Sequence, residues 1–183
     1  MLYILTGNGK GKTTCAVGMG VRAAGAGRKV LMVQFLKKGD SSEGKIIKEI
    51  KNFDIKSFGR KGFFLPPALL EKHPELKKKG VKPFSKEDSK LVREALEFTK
   101  ENLEKEKYNF LILDEINLVL YFGLLEKKEV WDFLKRYKNK IDIVLTGRYC
   151  PEEFLRIADL ATEFKSLKHY YEKGKRARKG IEY

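Results

Sequence analysis

Thr6-Gly7-Asn8-Gly9-Lys10-Gly11-Lys12-Thr13-Thr14 follows the apolar run Leu2–Leu5 and precedes a helical pattern that stops near Gly25 and Gly27. Glycines let such a loop adopt positive φ and turn its N–H groups inward around an anion. The helix that follows adds the positive end of its dipole. Lys12 brings a mobile point charge to phosphate oxygens, and Thr13 offers a hydroxyl to a divalent cation. The usual pattern has four residues between the outer glycine and Gly-Lys-Thr. Here only three separate Gly7 from Gly11, and Thr6 stands where the outer glycine is expected. A glycine-rich match alone is weak and a purely structural turn is its plain alternative. Placement between a strand and a helix is what favours the phosphate reading.

Working outward, short apolar runs recur at Val30–Phe35, Phe53–Phe58, Phe110–Leu113 and Ile141–Leu145. Ile4, Val33, Ile112 and Val144 lie within nearly uncharged runs, as strands of a parallel sheet covered on both faces should. Helical patterns lie between them. Over 85–107, Ser85 and Asp88 form a capping pair, and Val92, Leu96, Thr99 and Leu103 share one face. Over 126–138, Val130, Phe133, Leu134 and Tyr137 point inward. The expected fold is α/β, an open and mostly parallel sheet flanked by helices, in a single nucleotide-binding domain over 1–183. The stretch 59–84 resists this reading. It holds Pro66, Pro67, Pro74 and Pro83, with Lys77, Lys78 and Lys79 together. It is expected as an irregular insertion with a short helix near 67–78, either a functional lid or a solvated excursion.

The second signature is Phe110-Leu111-Ile112-Leu113-Asp114-Glu115. A carboxylate ending a buried strand beside a phosphate loop commonly serves Mg²⁺, directly or through water. Asp114 and Glu115 are adjacent and so are expected in different roles. The alternative is that one of them caps a helix over 116–122. Mg²⁺ is expected because ATP carries about four negative charges, more than one lysine neutralises.

The chain has 183 residues, with 39 Lys+Arg against 25 Asp+Glu and a net charge of +14. Residues 1–36 carry five Lys/Arg and no acid, and 165–183 carry seven against two. Nucleic acid, acidic lipid and polyphosphate are all compatible with such a balance. No apolar run reaches the ~18–20 residues of a membrane span. Met1–Leu5 has no basic leader pattern, and the two cysteines, Cys15 and Cys150, form no disulfide framework or metal cluster. A reduced cytoplasmic setting is expected, without membrane; nucleic acid is disfavoured because only Tyr170-Tyr171 near Lys168 interleaves aromatics with basic residues. Cys15 is expected as a small core residue of the first helix, and Trp131 as core.

The chain resembles the P-loop ATP:corrinoid adenosyltransferases, the cob(I)yrinic acid a,c-diamide or cob(I)alamin adenosyltransferase family. The resemblance is carried by Thr6–Thr14, Val30–Lys37 (VLMVQFLK), Leu113–Asn117 (LDEIN), Val144–Arg148 (VLTGR), Ala158–Glu163 (ADLATE) and Lys168–Tyr183 (KHYYEKGKRARKGIEY). The shortened loop is the family's own form. The resemblance implies a P-loop NTPase (RecA-like) architecture and a transfer rather than a hydrolysis. Co(I) of a reduced corrinoid, cobyrinic acid a,c-diamide or cobalamin, attacks the 5′ carbon of ATP and triphosphate leaves. It further implies that ATP lies reversed along the loop, exposing its ribose.

By this resemblance, Gly7, Asn8, Gly9, Lys10, Gly11, Lys12, Thr13 and Thr14 bind ATP, with Arg148 as a further phosphate contact or else a surface ion pair. Lys12 and Glu115 are the catalytic pair, and Thr13, Asp114 and Glu115 hold Mg²⁺. Gln34, Phe63 and His169 are candidate corrinoid contacts. Gln34 can equally be a polar strand end, and His169 a packing residue. A homodimer and a flavin-type reductase supplying Co(I) are the implied protein partners. The chain departs from the family at Gly62-Phe63-Phe64-Leu65-Pro66-Pro67, where members carry Gly-Phe-Thr-Trp. It also opens at the first strand, where members often have a preceding arm. The rival functions are a RecA-like nucleic-acid-stimulated ATPase and a small-molecule P-loop kinase.

Overall fold

The computed structural model describes residues 1–105, 107–168, 170, 174 and 178–181. In chain order, β1 (Leu2–Thr6) leads through the glycine loop into α1 (Lys12–Gly25), β2 (Val30–Phe35), α2 (Ser42–Ile47) and β3 (Phe53–Phe58). An excursion follows with β4 (Phe64–Leu65), α3 (Pro67–Lys72), α4 (Pro74–Lys78) and β5 (Lys82–Pro83). The chain then returns through α5 (Lys86–Glu104), β6 (Phe110–Asp114), α6 (Ile116–Tyr121), α7 (Lys127–Tyr137), β7 (Asp142–Thr146), α8 (Glu152–Ile157) and β8 (Leu160–Glu163).

Six strands form one parallel sheet in the order β3-β2-β6-β7-β1-β8. This is the expected α/β class, with a P-loop NTPase arrangement. β7 lies between the strand that feeds the loop and the strand that ends in Asp114. Alternate residues of each strand enter opposite cores. Leu2, Ile4, Leu31, Val33, Leu111, Leu113, Ile143 and Leu145 pack with α5, α6, α7 and α8. Leu5, Val30, Met32, Ile112 and Val144 pack with α1 and α2. With both faces covered, almost no polar side chain is tolerated inside the strands, and those that are cluster at the carboxyl ends.

The inward residues of α5 and α7 are those that the helical periodicity names. β8 was not expected, because its four residues Leu160-Ala161-Thr162-Glu163 are all exposed and lack a strand's alternation. Cys15 corrects an expectation: it lies on the exposed side of α1, and Ala16, Gly20, Ala23 and Ala24 take the buried positions. Trp131 is half-buried and stacks on Phe154 with centroids 5.9 Å apart. The excursion holds two short helices and a two-stranded parallel ribbon, Phe64 opposite Lys82. No helix among the described residues is long and apolar enough to cross a membrane.

Candidate active site

The loop closes around its own lysine. Gly7 and Gly11 take φ of 98° and 116°, and Lys12 Nζ donates to the carbonyls of Gly7 at 2.7 Å and Gly9 at 2.8 Å. Burial foremost pulls the Lys12 ammonium below the usual lysine range, with Arg148 adding to this and Glu115 and Asp114 opposing it. Gly11 caps α1 in the left-handed region, without a side-chain cap or an acid in the first turn. The amino end of α1 therefore keeps its electropositive character for an anion.

A second segment braces the loop. Past β8, the Phe164 N–H donates to Thr6 O at 2.8 Å, and Phe164 O accepts the Gly9 N–H at 2.6 Å. A Cβ at Gly7 would lie 2.4 Å from Phe164 O, and one at Gly9 would lie 2.8 Å from the Lys165 carbonyl. Glycine at these positions thus serves the close approach of a distant strand as well as the loop's dihedrals. Lys10 reaches away from the loop centre and donates to Ile181 O at 2.7 Å. Asn8 and Thr14 are exposed at the loop rim.

Asp114 lies at the floor, fully buried at 0% exposure. Its Oδ1 accepts from Thr13 Oγ1 at 2.9 Å and Thr146 Oγ1 at 2.7 Å. Its Oδ2 accepts from Lys37 Nζ at 2.8 Å and Gln34 Nε2 at 3.1 Å. Burial pushes this carboxyl upward, but the charge and hydrogen bond of Lys37, then the bonds from Thr146 and Thr13, hold it below the usual carboxylate range. Its neighbour behaves oppositely. Glu115 sits in the left-handed region (φ 68°), and burial, then the charge of Asp114, push its carboxyl upward. The reading of either residue as a helix cap does not hold for its side chain. Glu115 occupies the cap position of α6, but no side-chain cap bond is made.

Around this floor the predicted residues disperse. Arg148 is exposed just past β7, with a charge that reaches Lys12 and Glu115. Gln34 is fully buried beneath the site, its amide spent on Asp114 and on the Ser57 hydroxyl at 2.9 Å. Phe63 is 80% exposed in the excursion, just before β4. His169 lies outside the described residues. Tyr121 and Tyr149, both largely exposed, stack at 4.1 Å beside Arg148.

Sequence reasoning missed Lys37, Thr146 and Phe164 as site residues. The first two lie inside motifs quoted for the resemblance, VLMVQFLK and VLTGR, but as strand-end residues they carried no chemical signal of their own. Among the described residues no group of three or more His, Cys, Asp or Glu could hold a metal. The hard oxygens of Thr13 and ionised Asp114 instead fit Mg²⁺, which takes one or two protein ligands and completes its shell from phosphate and water. The arrangement can therefore seat a polyphosphate with a divalent cation, and no thiol or imidazole stands among its described residues to act as a nucleophile.

A family model described as ATP:corrinoid adenosyltransferase BtuR/CobO/CobP matches residues 1–183. A corrinoid adenosyltransferase of Escherichia coli (strain K12) is 30% identical over 183 residues, covering 100% of this chain and 85% of the relative. The corrinoid adenosyltransferase CobA of Salmonella typhimurium is 29% identical over 183 residues, with the same coverage. One from Sinorhizobium sp is 29% identical over 184 residues, covering 100% of this chain and 80% of the relative.

Proposed function

Because this chain belongs to the ATP:corrinoid adenosyltransferase family, we propose that it transfers the 5′-deoxyadenosyl group of ATP to Co(I) of a reduced corrinoid and releases triphosphate. The observation that carries this reading is a loop closed on Lys12 directly above a buried, ionised Asp114. That site suits a triphosphate, and its described residues offer the substrate no thiol or imidazole nucleophile.

In this reading the Co–C5′ bond forms as the C5′–O bond to triphosphate breaks. Both electrons of the new bond come from Co(I), and the leaving oxygen keeps the pair of the old one. Catalysis then requires orientation and stabilisation of charge gathering on the leaving group. Lys12 supplies the inner cation, since an arriving polyphosphate gives it the counter-charge that its burial lacks. The loop N–H groups and the start of α1 supply fixed donors, and Arg148 supplies a second cation from the end of β7. Thr13, Asp114 and Glu115 would hold Mg²⁺, which neutralises part of the polyphosphate charge. The raised Glu115 carboxyl suits a residue that ionises fully once a cation is beside it.

The corrinoid, cobyrinic acid a,c-diamide or cobalamin, needs an apolar landing surface near the ribose. Among the described residues, Phe63 and the Tyr121–Tyr149 stack offer exposed aromatic surface for it. A homodimer, a flavin-type reductase partner and a cytoplasmic setting belong to the same reading. Incubation with ATP, Mg²⁺ and chemically reduced cobalamin should give a light-sensitive alkylcobalt product and stoichiometric triphosphate. Orthophosphate release without cobalt alkylation would overturn the proposal.

A further inference from the structure

Lys37 occupies an unusual position for a lysine. Its Nζ lies 2.8 Å from Asp114 Oδ2, 3.3 Å from Thr13 Oγ1 and 4.0 Å from Glu43 Oε1, with the side chain 29% exposed. Thr13 and Asp114 are the two oxygens that suit a divalent cation. The ammonium therefore sits against the hydroxyl and the carboxylate that Mg²⁺ would need.

The backbone is shaped to put it there. Leu36 turns through the left-handed region at φ 58°, with its N–H held by Phe58 O at 2.9 Å. A non-glycine residue in that region costs on the order of 1 kcal/mol. Across from it, a Cβ at Gly59 would lie 2.4 Å from the Lys37 nitrogen, so only glycine at 59 admits the turn. Two separate local concessions, 23 residues apart in the sequence, thus serve one side chain.

We propose that Lys37 is a tethered cation that holds the Thr13–Asp114 pair in the metal's place until a polyphosphate draws it away, which makes metal binding depend on nucleotide. The inference rests on the reading of this site as a Mg·ATP site. Two cations cannot share Asp114 without strong repulsion, so a metal ion arriving alone must evict Lys37. A triphosphate offers the ammonium another anion within reach of its flexible four-carbon stem. Asp114 then keeps its neutral donors, Thr146 and Gln34, and is free for the metal. Lys37 is in this sense a positioning residue.

The test is an electron-spin-resonance titration with Mn²⁺ on the full chain, with and without ATP. Wild type should bind Mn²⁺ weakly alone and tightly with ATP. Lys37→Met should bind Mn²⁺ without ATP about tenfold tighter or more than wild type, since the metal no longer has to displace an ammonium from Thr13 and Asp114. Lys37→Arg should keep the wild-type nucleotide dependence. Equal or weaker nucleotide-free binding in Lys37→Met would overturn the inference while leaving the Mg·ATP reading intact. Failure of wild type to bind Mn²⁺ even with ATP would overturn that reading and the inference with it. Stability gives a second readout if Lys37→Met folds poorly. Its melting transition in chelator should fall below wild type and recover on adding Mg²⁺ but not K⁺, and no recovery with Mg²⁺ counts against the proposal.

Discussion

Lys12 and Lys37 are both lysines at strand or loop ends, yet the sequence exposed only the first. Lys12 follows a glycine pattern that, placed between a strand and a helix, favours an anion over a purely structural turn. Lys37 follows an ordinary strand, and its place depends on a left-handed Leu36 and on Gly59, neither of which has a local signal. The same holds for Thr146, whose hydroxyl matters only because β7 runs beside β6 and brings it to Asp114. Replacing Lys12 tests the residue scale most directly. Among the described residues its ammonium bonds to the Gly7 and Gly9 carbonyls, so Lys12→Ala removes a cation from the ligand and little from the core. Transfer should fall by about 10²–10³-fold, the usual loss when one transition-state donor is removed. The circular-dichroism spectrum and melting temperature should stay close to those of wild type.

At the scale of elements, the excursion between β3 and α5 was legible from composition only in part. Its prolines and lysines suggest an irregular insertion with a short helix near 67–78; the chain is helical over that stretch, split in two at His73, and adds a small ribbon. Proline at the first positions of α3 and α4 explains this, because its missing N–H has no helical partner there anyway. One carboxylate helps to tie the excursion down, beside the buried Leu70 of α3. Asp88, at 3% exposure, accepts from the Ser85 N–H at 2.7 Å to complete the capping box of α5. It also takes two hydrogen bonds from the Arg60 guanidinium, whose Nε lies at 2.9 Å and whose plane covers Phe64 at 4.1 Å. The Ser85–Asp88 cap was legible from spacing; the Arg60 contact, 28 residues away, was not. Asp88→Ala should cost about 1–3 kcal/mol by losing a cap and stranding a charged partner. For a chain of this length that is a melting decrease of roughly 2–10 °C. Limited proteolysis should speed up within 59–84, and unchanged cleavage there would show that another contact anchors the excursion.

For the whole molecule, the sheet class and the helix faces were legible because burial on both sides leaves continuous apolar runs. The strand order was not, since every parallel neighbour is reached through a crossover that local sequence does not encode. The acid limb of stability follows from the charges fixed by that order. Asp88 and Asp114 have carboxyls that burial pushes up and that Arg60 and Lys37, respectively, hold below the ordinary range. Their stabilisation is present above an unfolded value of about 4 and is lost as pH falls through the lower folded values. Glu115 runs the other way, because its raised carboxyl favours the folded state at lower pH and loses that contribution as pH rises through it. Thermal melts from about pH 7 to about pH 3 should therefore fall steeply on the acid side, and Glu115→Gln should raise stability at neutral pH relative to wild type. The position of β1 between β7 and β8 has a kinetic consequence as well. Leu2 pairs opposite Ile143, and Thr6 opposite Glu163, so β1 finds its sheet neighbours only far along the chain. Contacts of such long separation close slowly. The glycine loop that follows β1 is thus among the last segments to lock, and pulse-labelled hydrogen exchange during refolding should find the amides of β2, β3 and β6 protected before those of β1.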